Sequence, residues 1–198
     1  MLAFLGVSSA LLNIAGIVPY VRSILKGKTK PERSAWWIWA WLMVVAFWAQ
    51  AAAGATWSLL LTFSYLACNI VVAWLSIKHG YGKFRARDYL AVSFAVIGIM
   101  VWKSTGRPIL ALLIVIVIDS IGNVLTMEKS WRAPYTENLI TWALGGAAAV
   151  LGLLAVGSWD KTKILFPIYA IVVNLLVVGV LKYRRRWRSQ RIKSGLST

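Results

Sequence analysis

Residues 108–127, PILALLIVIVIDSIGNVLTM, hold an unbroken apolar run from Ile109 to Ile118 that ends at a carboxylate, Asp119. A helix needs about 20 mostly apolar residues to cross a bilayer, so the segment predicts a membrane span with one acid near its middle. Of the 198 residues, 60% are hydrophobic and only 14% are charged, and the mean hydropathy is +0.71. Soluble domains are about 45–50% apolar. The composition therefore excludes a soluble globular enzyme, a disordered chain and a disulfide scaffold.

The same criterion predicts seven spans in an all-α integral membrane protein. They are residues 2–22, 35–54, 58–77, 89–104, 108–127, 137–157 and 164–183. The first span has no positively charged stretch ahead of it, so we expect a retained helix rather than a cleaved signal peptide.

The 22 Lys and Arg residues give a formal net charge of +16 and are distributed unequally between the two sides of the predicted bundle. All lie in the loops after spans 1, 3 and 5 or in the C-terminal segment, except Lys103, Arg107, Lys161 and Lys163. The positive-inside rule then predicts an outer N-terminus and an inner C-terminus. The basic C-terminal segment is interpreted as a topological anchor, with binding of anionic lipid or nucleic acid as the alternative. We expect a lipid bilayer, and no nucleic acid, as partner.

An internal repeat relates spans 1–3 to spans 5–7 at an offset of 103 residues. In this register the matched pairs include Pro31 with Pro134, Trp39 with Trp142, Gly54 with Gly157 and Phe63 with Phe166. Three spans reverse the chain, so the unmatched span 4 restores the direction and the repeats are predicted to be parallel, in a 3+1+3 plan. The predicted units are a first repeat (1–78), a cytoplasmic loop and linker helix (79–107), a second repeat (108–183) and a basic cytoplasmic tail (184–198).

The first helix of each repeat ends in a short motif. The first repeat has Pro19-Tyr20 and then Lys28-Thr29, and the second has Asp119-Ser120 and then Lys129-Ser130. With the 3+1+3 plan, these motifs resemble the SWEET/PQ-loop transporter superfamily, whose repeat has a Pro-Gln pair followed by a basic loop with Lys-Ser/Thr; the Gln is absent from both copies here. The resemblance implies a midplane solute site between the repeats. Sugar carriers, vitamin carriers, amino-acid exporters and retrieval receptors all share this plan.

Polar side chains near the middle of a span are costly in lipid and usually face the bundle interior. The candidates for solute binding are Asn13, Tyr65, Asn69, Asp119, Asn123 and Asn174. The resemblance implies that Asn69 and Asn174 face each other across the solute, as asparagines of the third and seventh helices do in the SWEET group. Their amides suit a neutral polar ligand. The alternative role is a hydrogen bond between helices.

Asp119 is the sharpest single candidate, because an ionised carboxylate is costly there and no other span carries Lys or Arg at its middle. It is predicted to bind substrate or to couple transport to protons. The alternative is a neutral acid bonded to Asn13 or to a backbone carbonyl. Glu137, at the start of span 6, is assigned to proton coupling and gating or to the helix dipole. Pro19 is a candidate hinge in span 1.

The 12 tryptophans mostly lie near span ends, where an interfacial aromatic belt is expected. The repeat mates Trp39 and Trp142 are predicted to flank an inner gate or to stack on a planar ligand.

The sequence thus predicts a transporter rather than an enzyme, in the plasma or inner membrane, without cofactor or metal. It would move a small solute, a sugar or a vitamin- or nucleoside-like molecule, by alternating access. Asp119 and the tryptophans fit a cationic or aromatic solute equally well. The alternatives are a ligand-binding receptor or trafficking protein on the same fold and a scaffold with a closed midplane. The sequence does not decide whether the protein forms a homo-oligomer.

Overall fold

The computed structural model describes residues 1–31, 33–80, 86–135 and 137–193, which form seven α-helices and no strand. The helices are α1 (Leu2–Leu25), α2 (Arg33–Ala52), α3 (Leu59–His79), α4 (Ala86–Thr105), α5 (Pro108–Arg132), α6 (Leu139–Leu154) and α7 (Lys161–Lys193). The all-helical prediction is confirmed. The predicted loop residues 81–85 and tail residues 194–198 lie outside the described residues.

The last helix is longer than its predicted span. α7 continues to Lys193, so the basic segment 184–193 is part of the helix rather than a separate tail. A helix that leaves an apolar layer can continue in water when long basic side chains cover its surface and hydrogen-bond to neighbouring segments.

Most of the described helices have the length and apolar character of membrane spans, although fewer qualify than the seven predicted. Five of them, α1, α2, α3, α5 and α7, are long and apolar enough to cross a bilayer, and α6 is a shorter apolar helix of 16 residues. Large apolar side chains point outward, with Trp74 68% and Val117 62% exposed, whereas Ser9 and Gln50 are fully buried. This distribution reverses that of a soluble protein, and it is compatible with helices surrounded by lipid.

The helices pack in two sets of three. In the first set α3 lies between α1 and α2, and in the second set α7 lies between α5 and α6. The sets meet where α1 packs on α6 and where α2 packs on α5, while α4 contacts α5 and α2. Among the described residues this list of neighbours, α4 apart, is unchanged when α1, α2 and α3 are exchanged for α5, α6 and α7.

Two pairs of residues matched by the sequence offset have the same local structure. Pro31 and Pro134 are both fully buried in the segments that precede α2 and α6. Gly54 and Gly157, which follow α2 and α6, have φ angles of 74° and 68°, a left-handed conformation that glycine adopts without steric cost. The two matched pairs thus share burial or backbone conformation near the corresponding helix ends.

The two seams between the sets are built differently. Along α1 and α6 the backbones approach closely, and a Cβ atom at Gly16 would lie 3.0 Å from the Leu144 Cβ. The seam between α2 and α5 is filled by larger side chains, including Leu42, Leu112 and Val115. Small residues permit close contact between membrane helices, which accounts for the tighter seam.

The close approach of α1 to the turn before α3 predicts that Gly6→Ala destabilises the protein. A Cβ atom at Gly6 would lie 2.3 Å from the Trp57 carbonyl oxygen, so the helix would have to move. Overpacking of this kind costs about 1–3 kcal/mol, which thermal unfolding of the purified protein in detergent would measure as a lower melting temperature.

Gly179→Ala is the matched control, because no heavy atom lies within 4 Å of a Cβ built there. Alanine should leave stability unchanged or raise it by up to about 1 kcal/mol, since glycine is a poor helix residue. Equal melting temperatures for the two variants would contradict the close packing of α1.

Candidate functional site

A partly open cavity of about 110 Å³ lies between the two sets of helices. All the predicted solute-binding residues line it, and so does Glu137: they are Asn13, Trp39, Tyr65, Asn69, Asp119, Asn123, Glu137, Trp142 and Asn174. Pro19, the predicted hinge, lies inside the continuous helix α1, next to the lining residue Tyr20.

The cavity occupies one half of the bundle. It extends from Asn69 and Asn174, in the middle parts of α3 and α7, to Tyr20 near the end of α1 and Glu137 before the start of α6. The other half is closed by packing. There the Ser9 hydroxyl donates to the Ala148 carbonyl at 2.7 Å, and a Cβ atom at Gly152 would lie 2.5 Å from a Leu61 methyl carbon.

Asp119 is held by neutral donors from two helices. The Tyr169 hydroxyl of α7 donates to Asp119 Oδ2 at 2.5 Å, and Asn123 Nδ2, one turn along α5, donates to the same oxygen at 2.6 Å. The Tyr169 oxygen in turn accepts from Asn123 at 3.2 Å and from the Ser120 hydroxyl at 3.3 Å. No described Lys or Arg forms an ion pair with Asp119, and Oδ1 accepts no hydrogen bond from the described residues.

Asn69 and Asn174 both lie in the cavity wall but are held differently. Asn174 Nδ2 donates to the Ala170 carbonyl at 2.7 Å and, at 3.4 Å, to the Tyr65 hydroxyl, which donates to the Gly145 carbonyl at 3.1 Å. The Asn69 side chain makes no hydrogen bond with the described residues, although it is only 9% exposed. Asn174 thus makes a hydrogen bond to another helix, through Tyr65 of α3, as the alternative role expects. Asn69 makes no such bond with the described residues.

Asn13 binds α3 rather than Asp119. Its Nδ2 donates to the Ser64 hydroxyl at 3.1 Å and approaches the Cys68 sulfur at 3.8 Å. The alternative in which Asn13 holds the Asp119 carboxyl is therefore wrong, because the bonds that reach this carboxyl come from Asn123 and Tyr169.

Glu137 precedes the N-cap of α6, so the prediction that places it in the first turn of that helix is wrong. The helix begins at Leu139, and the Asn138 side chain caps it by accepting from the Ile140 and Thr141 backbone N–H groups. Glu137 is buried at the edge of the cavity, where Lys129 Nζ lies 2.9 Å from Oε1 and the Trp142 indole N–H donates to Oε2 at 3.4 Å. Glu137 and Lys129 thus form an ion pair at the edge of the cavity.

The basic extension of α7 holds the segment that carries Glu137. Arg185 donates to the Pro134 carbonyl at 3.0 Å and to the Glu137 carbonyl at 2.6 Å. Arg184 donates to the Trp131 carbonyl at 2.8 Å, and its guanidinium lies 4.6 Å from the centre of the Trp131 ring. Trp131 lies in the last turn of α5, where carbonyls carry partial negative charge, so Arg184 is a favourable partner there.

Several lining residues were not predicted, above all Tyr169, Tyr20, Trp36 and Gly145. Tyr169 has a sequence signal, since it is a polar aromatic residue near Asn174 in the same span. Its contact with Asp119 depends on how α5 packs against α7, which no spacing along the chain reports. Gly145 contributes a backbone carbonyl, and a carbonyl has no sequence signature.

The ion pair beside the cavity predicts that Lys129→Met destabilises the protein. The Glu137 side chain is only 6% exposed, so it would lose the cation that compensates its charge. Removing one partner of a fully buried pair costs about 3–5 kcal/mol, but Lys129 is 41% exposed and solvent screens part of its charge, so we expect a smaller loss of about 1–3 kcal/mol. Arg132→Met is the matched control, because the pair that Arg132 forms with Glu128 is 77% and 52% exposed and such pairs contribute about 0–1 kcal/mol.

A second change separates charge from packing in that experiment. Adding Glu137→Gln to Lys129→Met removes the unpaired carboxylate and should restore most of the lost melting temperature. A double variant as unstable as Lys129→Met alone would show that the lysine acts through packing rather than through its charge.

Comparison of the chain with protein-family models, with curated proteins and with solved structures finds no match. The case for a function therefore comes from the cavity and its residues.

Proposed function

We propose that the protein is an integral membrane carrier that moves a small polar solute by alternating access through this cavity. The observation that carries the proposal is that two polar groups in the middle of the bundle make no hydrogen bond within the described protein. The Asn69 amide and Asp119 Oδ1 both belong to cavity-lining residues and make no hydrogen bond with the described chain. Polar groups inside a helix bundle normally have protein partners, and these two face the cavity instead, so they are available to a solute.

The packing supports a 3+1+3 architecture for the carrier. Exchange of α1, α2 and α3 for α5, α6 and α7 preserves the list of helix neighbours, as expected for two parallel copies of one three-helix unit. α4 packs only on α5 and α2 among the described contacts, which fits a linker helix outside both units. The solute site would then lie between the repeats, where relative motion of the units opens and closes it.

Two layers above and below the site would serve as gates. On one side, the end of the cavity is lined by Tyr20, Trp36 and Trp142. The ion pair between Glu137 and Lys129 lies beside them. On the other side the Ser9 hydroxyl of α1 donates to the Ala148 carbonyl of α6. Alternating access requires that the residues of the first layer close over the site when the contacts of the second layer open. Pro19 in α1 is the candidate point of bending, because proline removes a backbone hydrogen bond there.

Asp119 is the candidate for proton coupling in this mechanism. Both protein donors use Oδ2, so a proton or a polar group of the solute would occupy Oδ1. Competition at one oxygen would link solute binding to proton release. The energetic reason is that an isolated carboxylate in an apolar interior is costly until a proton or a partner compensates its charge.

Solute flux into proteoliposomes tests the carrier proposal. Labelled D-glucose, uridine, pyridoxine and L-leucine represent sugars, nucleosides, vitamins and amino acids, and the solute that raises the melting temperature most is taken forward. We expect uptake above that of protein-free liposomes and at least a tenfold loss in Asn69→Ala, since the free amide is the proposed ligand. Asn138→Ser, which keeps a cap outside the cavity, should transport normally. Saturable binding without flux would favour the receptor alternative.

Cysteine labelling tests the proposed orientation, with the N-terminus outside and the C-terminus inside. In a Cys68→Ser background, Lys28→Cys places a thiol in the exposed segment after α1, and Ser158→Cys places one in the exposed segment before α7. A membrane-impermeant maleimide should label Ser158→Cys in intact cells and Lys28→Cys only after lysis. The opposite pattern would contradict the orientation inferred from the cations.

A further inference from the structure

The described lining of the cavity contains two carboxylates, and one of them has a described cationic partner whereas the other has none. Glu137 has Lys129 at 2.9 Å, so its charge is compensated. Asp119 has only the neutral donors Tyr169 and Asn123, and no described Lys or Arg pairs with it. The Asp119 carboxylate in the middle of the cavity therefore has no cationic partner among the described residues. A cation bound there would interact strongly with Asp119, because the surroundings are largely apolar and screen charge weakly.

Aromatic rings form the wall next to this carboxylate. Trp39 packs against α5 at Gly122, where a Cβ atom would lie 2.8 Å from the indole nitrogen, and Gly122 is one turn from Asp119. Trp36 lies 5.2 Å from Trp39 and 5.3 Å from Tyr20, measured between ring centres, so the three rings are continuous. Faces of Trp and Tyr attract cations and stack on flat apolar groups.

The space available limits the size of the solute. The cavity measures about 110 Å³, and an apolar cavity of about 150 Å³ in another protein holds one benzene molecule. The cavity is smaller than that example but is partly open, so a single ring would fill it and a short substituent would extend into the open end. A larger solute would need the cavity to widen.

We infer that the solute is a small organic cation with a flat, single-ring body, whose charge lies against Asp119 Oδ1 and whose ring packs against the aromatic wall beside Trp39. This inference rests on the proposed function and names its substrate class. A neutral solute of the same shape would leave the Asp119 carboxylate without a charged partner, which is the unfavourable state for a buried ion. The free Asn69 amide, on the opposite set of helices, would bind a polar substituent on the ring.

Binding of two matched compounds to the purified full-length protein tests the inference. Benzylamine is protonated at neutral pH, as alkyl amines are, and benzyl alcohol has nearly the same shape without charge. Titration calorimetry in detergent should show benzylamine binding at least tenfold more tightly. Asp119→Asn should remove that preference, and Asp119→Glu should retain it. Asp160→Asn is the charge-matched control, because it removes an exposed carboxylate that caps α7 and Asn still caps.

The outcomes separate this inference from the carrier proposal. Equal affinity for the two compounds, a preference that survives Asp119→Asn in a protein of unchanged melting temperature, or no binding of benzylamine at millimolar concentration would overturn the cation assignment. Phenyltrimethylammonium, whose charge is permanent, then serves as the flux probe. Binding that depends on Asp119 without uptake into proteoliposomes would uphold the cation site and contradict the carrier. Uptake of a neutral solute that does not depend on Asp119 would uphold the carrier and contradict the cation site.

Discussion

The carboxylate of Asp119 and the two neutral donors that hold it set the main constraint on this structure. Tyr169 reaches it from α7 and Asn123 from its own helix, so the pairing fixes how α5 and α7 lie against each other. The exterior of the helices is apolar, and an acid of α5 can be tolerated only inside the bundle. One oxygen is used by the fold and the other is left in the cavity wall, which makes the same residue both a structural and a functional candidate.

The two three-helix sets are alike in packing and unlike in chemistry. At the offset of 103 residues Gly16 corresponds to Asp119, and Gly16 lies where α1 and α6 are in close contact. One seam of the bundle is thus closed by a glycine at the position where the other carries a carboxylate. The cavity is therefore asymmetric, with the Asp119 carboxylate on one set and the Asn69 amide on the other.

The positive charges have two roles rather than one. If the predicted orientation holds, their concentration on one side of the bundle would act as a topological signal. Arg184 and Arg185 also bind carbonyl oxygens at the end of α5 and in the segment before α6, and that segment holds Glu137 beside Lys129. The extension of α7 therefore supports one end of the cavity, and under the proposed function it would influence how readily that end opens.

The sequence by itself determined the helical class, the approximate helix positions and the polar residues that line the cavity. Membrane helices are simple to infer because each must be apolar over its whole length, and a polar residue within it stands out. Asn69, Asn123 and Asn174 were found in this way. Only the tertiary structure decided their partners: that Asn13 binds Ser64 rather than Asp119, that Asn138 rather than Glu137 caps α6, and that Tyr169 holds Asp119. These contacts join helices far apart in the chain, and their geometry depends on crossing angles and side-chain rotamers that no spacing in the sequence encodes.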